Sequence, residues 1–155
     1  MESFFGISTC NRTEIYLVGK KDISKLVFVE VFKILKITEL SQESLYFLYG
    51  HDALVHMCKV ASGIDSQVLG EQEIYGQFKS ALRIAKEINI LGNELSYLSN
   101  KVIEISKRAR SQTKIGINSL SVSGLAMKLV KNIFENPEEQ NVLVVGAGSL
   151  AQSVM

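Results

Sequence analysis

Two stretches of the chain carry residue types able to do chemistry. Ser8-Thr9-Cys10-Asn11-Arg12 places a thiol two residues from a guanidinium, among small hydrogen-bonding side chains. A free cysteine titrates near ~8.5, and only its thiolate is a strong nucleophile. Arg12 carries a charge it cannot lose, and a nearby cation lowers a thiol pKa. In an extended segment, positions 10 and 12 face the same side. On residue types alone a reactive Cys10 and an inert, packed one both stand, and packing is the commoner outcome. The second stretch is Gly146-Ala147-Gly148-Ser149-Leu150-Ala151, which directly follows the apolar run Asn141-Val-Leu-Val-Val145. A buried parallel strand running into G-x-G-x-x-A is the opening of a dinucleotide-binding βαβ unit. Its glycines permit a tight turn and the approach of a pyrophosphate to a helix N-terminus. Such a unit needs ~30 residues, and the sequence stops at Met155. The chain is therefore expected not to hold a nicotinamide cofactor.

The elements that must position these groups follow from pattern. Phe4–Thr9 and Glu14–Val18 read as two short strands around Cys10. Ile23–Ile37 has apolar residues at helical spacing, and Leu45–Tyr49 reads as a third strand ended by Gly50. Asp52 is placed to cap a helix reaching about residue 61, with Leu54, Met57, Cys58 and Ala61 on one face and His56 off it. That puts Cys58 in the core. Residues 61–70 form a glycine-bracketed loop. A helix then runs from about Glu71 to Leu91, with Ile74, Phe78, Ala81, Leu82, Ala85 and Ile88 expected to be buried. Glu73 and Gln77 share a face of it. Gly76 lies inside it, where glycine costs ~1 kcal/mol against alanine, so a close approach by backbone or ligand is expected there. A long helix over 94–113 shows an apolar stripe of Leu95, Leu98, Val102, Ile105 and Ala109. Its other side carries Lys101, Lys107, Arg108 and Arg110, either simply solvated or set against RNA phosphates. Ser119, Ser121 and Ser123 mark the start of a further helix, and Asn136-Pro137 marks a boundary.

Bulk properties bound the function classes. The 155 residues are 46% hydrophobic and 21% charged, which indicates a globular chain of about one domain. Two cysteines make no disulfide framework, and nothing resembles a signal peptide, so a reducing cytoplasm is expected. No apolar run reaches the ~18 residues of a membrane span. The net charge of +1 neither selects nor excludes a nucleic acid. No metal site is expected.

Taken in order, these segments resemble glutamyl-tRNA reductase. Ser8-Thr-Cys-Asn-Arg-Thr-Glu14 is similar to that family's nucleophile motif. His56, Val60-Ala-Ser-Gly-Ile-Asp-Ser66, Val68-Leu-Gly-Glu71 and Ile74-Tyr-Gly-Gln77 resemble its substrate-recognition stretch. Ser121-Val-Ser123 and the glycine-rich turn resemble its passage into the NADPH domain. The resemblance implies an α+β fold: a catalytic α/β-sandwich domain over 1–93, a helical connection over 94–136, and the first strand and turn of a Rossmann domain over 137–155. It also implies a reaction, the NADPH-dependent reduction of glutamyl-tRNA to glutamate-1-semialdehyde at the entry to tetrapyrrole synthesis. Cys10 would attack the ester and form a thioester, with His56 orienting substrate or assisting proton transfer. Thr9, Asn11, Arg12, Ser66, Glu71, Gln72, Glu73 and Gln77 would bind the substrate, and Gly146–Ala151 the cofactor.

Three departures from the family's pattern shape the expectation. Glu73 stands where the family usually has Gln. The family carries about one strand and one helix before the nucleophile motif, where this chain has nine residues. The rest of the NADPH domain and the helical region through which the family forms homodimers are missing from it. The chain is thus expected to be truncated at both ends and to lack hydride transfer, leaving a weak Cys10-dependent esterase. The alternative is a non-catalytic module that binds tRNA or a protein. Candidate partners are glutamyl-tRNA and the next pathway enzyme, glutamate-1-semialdehyde aminomutase.

Overall fold

A computed structural model describes residues 3–9, 11–20, 23–37, 44–116, 121–148 and 151–152. Strand β1 (Ser3–Ser8) and strand β2 (Thr13–Val18) pair antiparallel, Ser3 opposite Val18 and Ser8 opposite Thr13. Five helices follow: α1 (Ile23–Leu35), α2 (Gly50–Ser62), α3 (Glu73–Glu87), α4 (Asn93–Gln112) and α5 (Val122–Ile133). The described fold is α+β, with one two-stranded sheet. No helix among the described residues is long and apolar enough to cross a membrane.

Period-two alternation in β1 buries Phe5 and Ile7 while Phe4 and Gly6 face out. The buried side of the hairpin packs on α3, which supplies Ile74, Phe78, Leu82 and Ala85 at helical spacing. At the centre Phe5 stacks on Tyr16 at 5.0 Å between ring centroids, and Phe78 meets Phe5 edge-on at 5.4 Å. Helix α2 adds Met57, Val60 and Ala61, and α4 adds Leu95 and Val102. Cys58 packs against this core, as expected, and burial pushes its thiol pKa up.

Several sequence expectations are corrected. Leu45–Tyr49 is not a strand: it joins no sheet ladder among the described residues, and its five side chains are exposed. Helix α2 begins at Gly50 with no side-chain cap, so Asp52 lies within its first turn. Ile88 is exposed, because α3 stops at Glu87 and Asn89 turns the chain in a left-handed conformation. The buried stripe of α4 is Leu95, Ser99, Val102 and Ser106, not one running through Ile105. Ser99 and Ser106 are fully buried on α4, which packs on α2, while Ile105 is half exposed. The run 141–145 pairs with no strand among the described residues, and Val142, Leu143 and Val145 are exposed. Ser121 caps α5, its Oγ accepting the Gly124 N–H at 3.1 Å; Ser119 lies outside the described residues.

The three-ring contact makes Phe78 the residue on which hairpin and helix both depend. Phe78→Ala is expected to cost about 3–5 kcal/mol, since a buried ring leaves a cavity that the surroundings fill only in part. Urea unfolding should show a lower midpoint at an unchanged slope.

Candidate active site

The β1–β2 hairpin brings the first motif to a tip. Thr9 N–H donates to the Arg12 carbonyl at 2.8 Å, closing the turn one residue pair beyond Ser8 and Thr13. The Thr9 hydroxyl oxygen accepts the backbone N–H groups of Asn11 at 3.2 Å and Arg12 at 3.1 Å. A serine or threonine hydroxyl makes such local turns well. Cys10 lies outside the described residues.

Arg12 leaves the tip and crosses to the loop between α2 and α3. Its Nη1 donates to Asp65 Oδ2 at 2.6 Å and to Glu14 Oε1 at 3.2 Å, and its Nη2 donates to the Asp65 carbonyl. Gln67 Nε2 makes a second bridge, donating to Asn11 Oδ1 at 2.9 Å. Thr9, Asn11, Arg12, Ser66 and Glu71 come together with Gln67 and Ile74 around a pocket of about 20 Å³. Five residues expected to bind substrate therefore share one small cavity, although more than fifty positions of sequence separate the two segments.

The loop is held from below its backbone. Gly63 and Gly70 both have φ in the left-handed region, +79° and +77°. A Cβ on Gly70 would lie 1.9 Å from the Ile115 carbonyl oxygen, so only glycine fits. Arg110 donates to the carbonyls of Ser62 and Glu71 at 3.1 Å each and of Gly70 at 3.0 Å. This corrects the reading of Arg110 as part of a free basic face: its guanidinium caps loop carbonyls that would otherwise lack donors. Lys101 is also engaged, with Glu104 at 2.9 Å.

His56 joins a second cluster centred on Glu14, which is buried on β2. Glu14 Oε1 accepts from Tyr46 at 2.5 Å and lies 3.0 Å from His56 Nε2, while Oε2 accepts the Tyr16 hydroxyl. Burial opposes the Glu14 charge. The donors Tyr16, Tyr46 and His56 outweigh it and hold the carboxyl below its ordinary value. A carboxylate only accepts, so Nε2 of His56 carries the proton facing it. The same contact pushes the hydroxyl pKa values of Tyr16 and Tyr46 upward, with burial the larger cause in each.

The remaining predicted residues lie elsewhere. Gln72 precedes α3 and lines a separate groove with Tyr75, Gly76, Lys107, Arg110 and Ser111. Glu73 and Gln77 are exposed on α3 and line neither cavity. Gly146 and Ala147 are exposed in a stretch without regular structure, Gly148 is exposed, Ser149 and Leu150 lie outside the described residues, and Ala151 is helical. No group of three or more His, Cys, Asp and Glu among the described residues could hold a metal. Sequence reasoning missed Glu14, Tyr46, Asp65 and Gln67 as members of the site. Glu14 left one usable sign, an acidic residue two positions from Tyr16 and so on the same inward face of a strand.

The sequence model described as glutamyl-tRNAGlu reductase, N-terminal domain, matches residues 1–113. This chain belongs to the glutamyl-tRNA reductase family. The glutamyl-tRNA reductase of Saccharophagus degradans is 41% identical over 149 residues, covering 96% of this chain and 35% of that protein. That of Teredinibacter turnerae is 42% identical over 149 residues, covering 96% and 36%. The solved glutamyl-tRNA reductase from Methanopyrus kandleri superposes with a TM-score of 0.66 at 30% identity, over 98% of this chain and 36% of that one. The chain thus spans about a third of the length of the family members it matches. The hairpin tip, the α2–α3 loop and the Glu14 cluster all fall within the family's N-terminal domain.

The Glu14 cluster should show itself in acid. A carboxyl whose folded pKa is depressed contributes stability that is complete above its ordinary value of 4.5 and is lost as pH falls through the folded value. Glu14→Gln is expected to cost about 1–3 kcal/mol at neutral pH, through weaker acceptance from its donors. It should also narrow the gap in melting temperature between about pH 7 and about pH 3.

Proposed function

We propose that this chain carries the thiol half of glutamyl-tRNA reduction: binding of the glutamyl ester and its transfer to Cys10. The observation that carries this reading is the pocket joining the hairpin tip to the α2–α3 loop, lined by Thr9, Asn11, Arg12, Ser66 and Glu71. Cys10 lies between two of these residues in sequence. In the proposed step the thiolate sulfur attacks the ester carbonyl of glutamyl-tRNA. A C–S bond forms, the C–O bond to the terminal ribose breaks, and the ribose hydroxyl leaves with a proton. Covalent catalysis of this kind divides one hard substitution into two easier ones.

The surrounding residues have distinct parts. Thr9 fixes the turn through its bonds to the Asn11 and Arg12 N–H groups. The charge of Arg12 is offset by Glu14 and Asp65, so it acts first as the brace between tip and loop. A substrate carboxylate would have to displace Asp65, whose side chain is partly exposed. The pocket admits about one water as it stands. The exposed Gln67–Asn11 bridge is the contact able to open, since such a hydrogen bond contributes only ~1 kcal/mol. His56, tied to Glu14 through Nε2, is the residue we assign to orienting the substrate or assisting proton transfer at the ester.

NADPH, when bound, supplies the hydride that reduces the thioester, and Gly146–Ala151 have the pattern for it. Here Val142, Leu143 and Val145 are exposed and the preceding run pairs with no strand among the described residues. The described residues of this run form no built dinucleotide site. A homodimer and a handover to the aminomutase follow from the family reading rather than from a surface of this chain.

Mixing the chain with glutamyl-tRNA should yield a covalent adduct with the mass of one glutamyl group, followed by slow release of glutamate. Cys10→Ser should abolish both. Glutamate release at the same rate from the serine variant would refute the thioester step.

A further inference from the structure

Gly76 is unexplained by packing. It lies within α3, where glycine is unfavourable. A Cβ at this position would meet nothing within 4 Å. Neither crowding nor backbone conformation requires glycine there, since Gly76 is not among the positive-φ glycines. What Gly76 does face is an open groove of about 440 Å³, within the ~300–1,000 Å³ range of small-ligand clefts. Tyr75 lines this groove with an aromatic ring, one face of which Lys79 Nζ overlies at 5.6 Å from the centroid, and Lys107 and Arg110 supply cationic groups. Among the described residues neither cation pairs with a carboxylate. Arg110 donates only to neutral carbonyls, so its charge is not cancelled. One of those carbonyls belongs to Glu71, which lines the glutamyl pocket, and the next residue, Gln72, lines the groove. Pocket and groove therefore adjoin through consecutive residues.

We infer that the groove seats the 3′-terminal nucleotide of the tRNA whose glutamyl ester enters the pocket. The inference rests on the proposed function and adds to it the place of the nucleic acid. A terminal nucleotide has one phosphodiester and one π face. Lys107 and the field of Arg110 suit the first, and Tyr75 suits the second, as aromatic rings do in sequence-tolerant single-strand binding. Gly76 leaves the α3 backbone bare where the sugar or base would lie closest. The ester to be cleaved is carried on that same nucleotide, so a seat beside the pocket orients the bond toward Cys10.

The test uses the whole chain and two probes. The first is a 5′-labelled acceptor-stem RNA hairpin with a free single-stranded 3′ end. The second is a small activated ester of glutamate without RNA. Gly76→Leu fills the groove with a good helix former and should raise the dissociation constant for the RNA at least tenfold. Lys107→Ala should weaken RNA binding and reduce the slope of log affinity against log salt by about one. Acylation of Cys10 by the small ester should be unchanged in both. Gly76→Ala should raise the melting temperature by about 2–4 °C, a gain that marks the glycine as retained at the expense of stability. Unchanged RNA affinity in both Gly76→Leu and Lys107→Ala overturns the groove assignment, whatever the ester does. Weakened RNA binding with no acylation of the wild-type chain supports the groove and refutes the thioester reading alone.

Discussion

The structure depends on one buried carboxylate. Glu14 sits on β2 and draws donors from three separate parts of the chain: Arg12 and Tyr16 on the hairpin, Tyr46 before α2, and His56 within α2. A buried charge is tolerated only when its hydrogen-bonding capacity is met. Meeting it here forces the hairpin, the exposed 44–49 segment and α2 into one arrangement. The constraint also sets chemistry at both ends of the cluster. It fixes which nitrogen of His56 carries a proton, and it holds Arg12 at an angle from which the guanidinium reaches Asp65.

Around that centre the site is built from backbone more than from side chains. The α2–α3 loop keeps its shape through two left-handed glycines and through Arg110, which donates to three carbonyls. Arg110 thereby links α4 to the loop that carries Ser66 and Glu71. A side chain that looks like free positive charge in sequence is the loop's main support, yet its charge still reaches the neighbouring groove. This dual use accounts for an arginine at this position. Lysine, a compact point donor, lacks the planar fork that reaches three separate carbonyls.

Much of this was legible in the sequence where one periodicity suffices. The two strands around Cys10 and helices α2 to α5 follow from period-two and period-3.6 spacing, and their boundaries fall within a few residues of those observed. Reasoning failed where tertiary contacts decide. Leu45–Tyr49 has strand-like composition, but it pairs with no strand among the described residues, and Tyr46 reaches across to Glu14. The α4 stripe was misread because Ser99 and Ser106 are polar by type and buried by virtue of their size. Arg12 stood out by its charge two residues from Cys10, whereas Thr9 and Ser66 as substrate contacts came from motif resemblance, and their convergence on one pocket could not be read from spacing. Glu14, Asp65 and Tyr46 escaped notice because each matters only through a partner distant in sequence.

In the proposed reaction the Glu14 cluster is what holds Arg12 and His56 in place for transfer of a glutamyl group. The most direct measurement is the rate at which Cys10 is acylated by glutamyl-tRNA in Glu14→Gln, set against wild type under conditions where both are folded. The account predicts a rate lowered at least about tenfold, as expected when a positioning contact of a catalytic group is lost, with affinity for the tRNA unchanged. An acylation rate equal to wild type would contradict it.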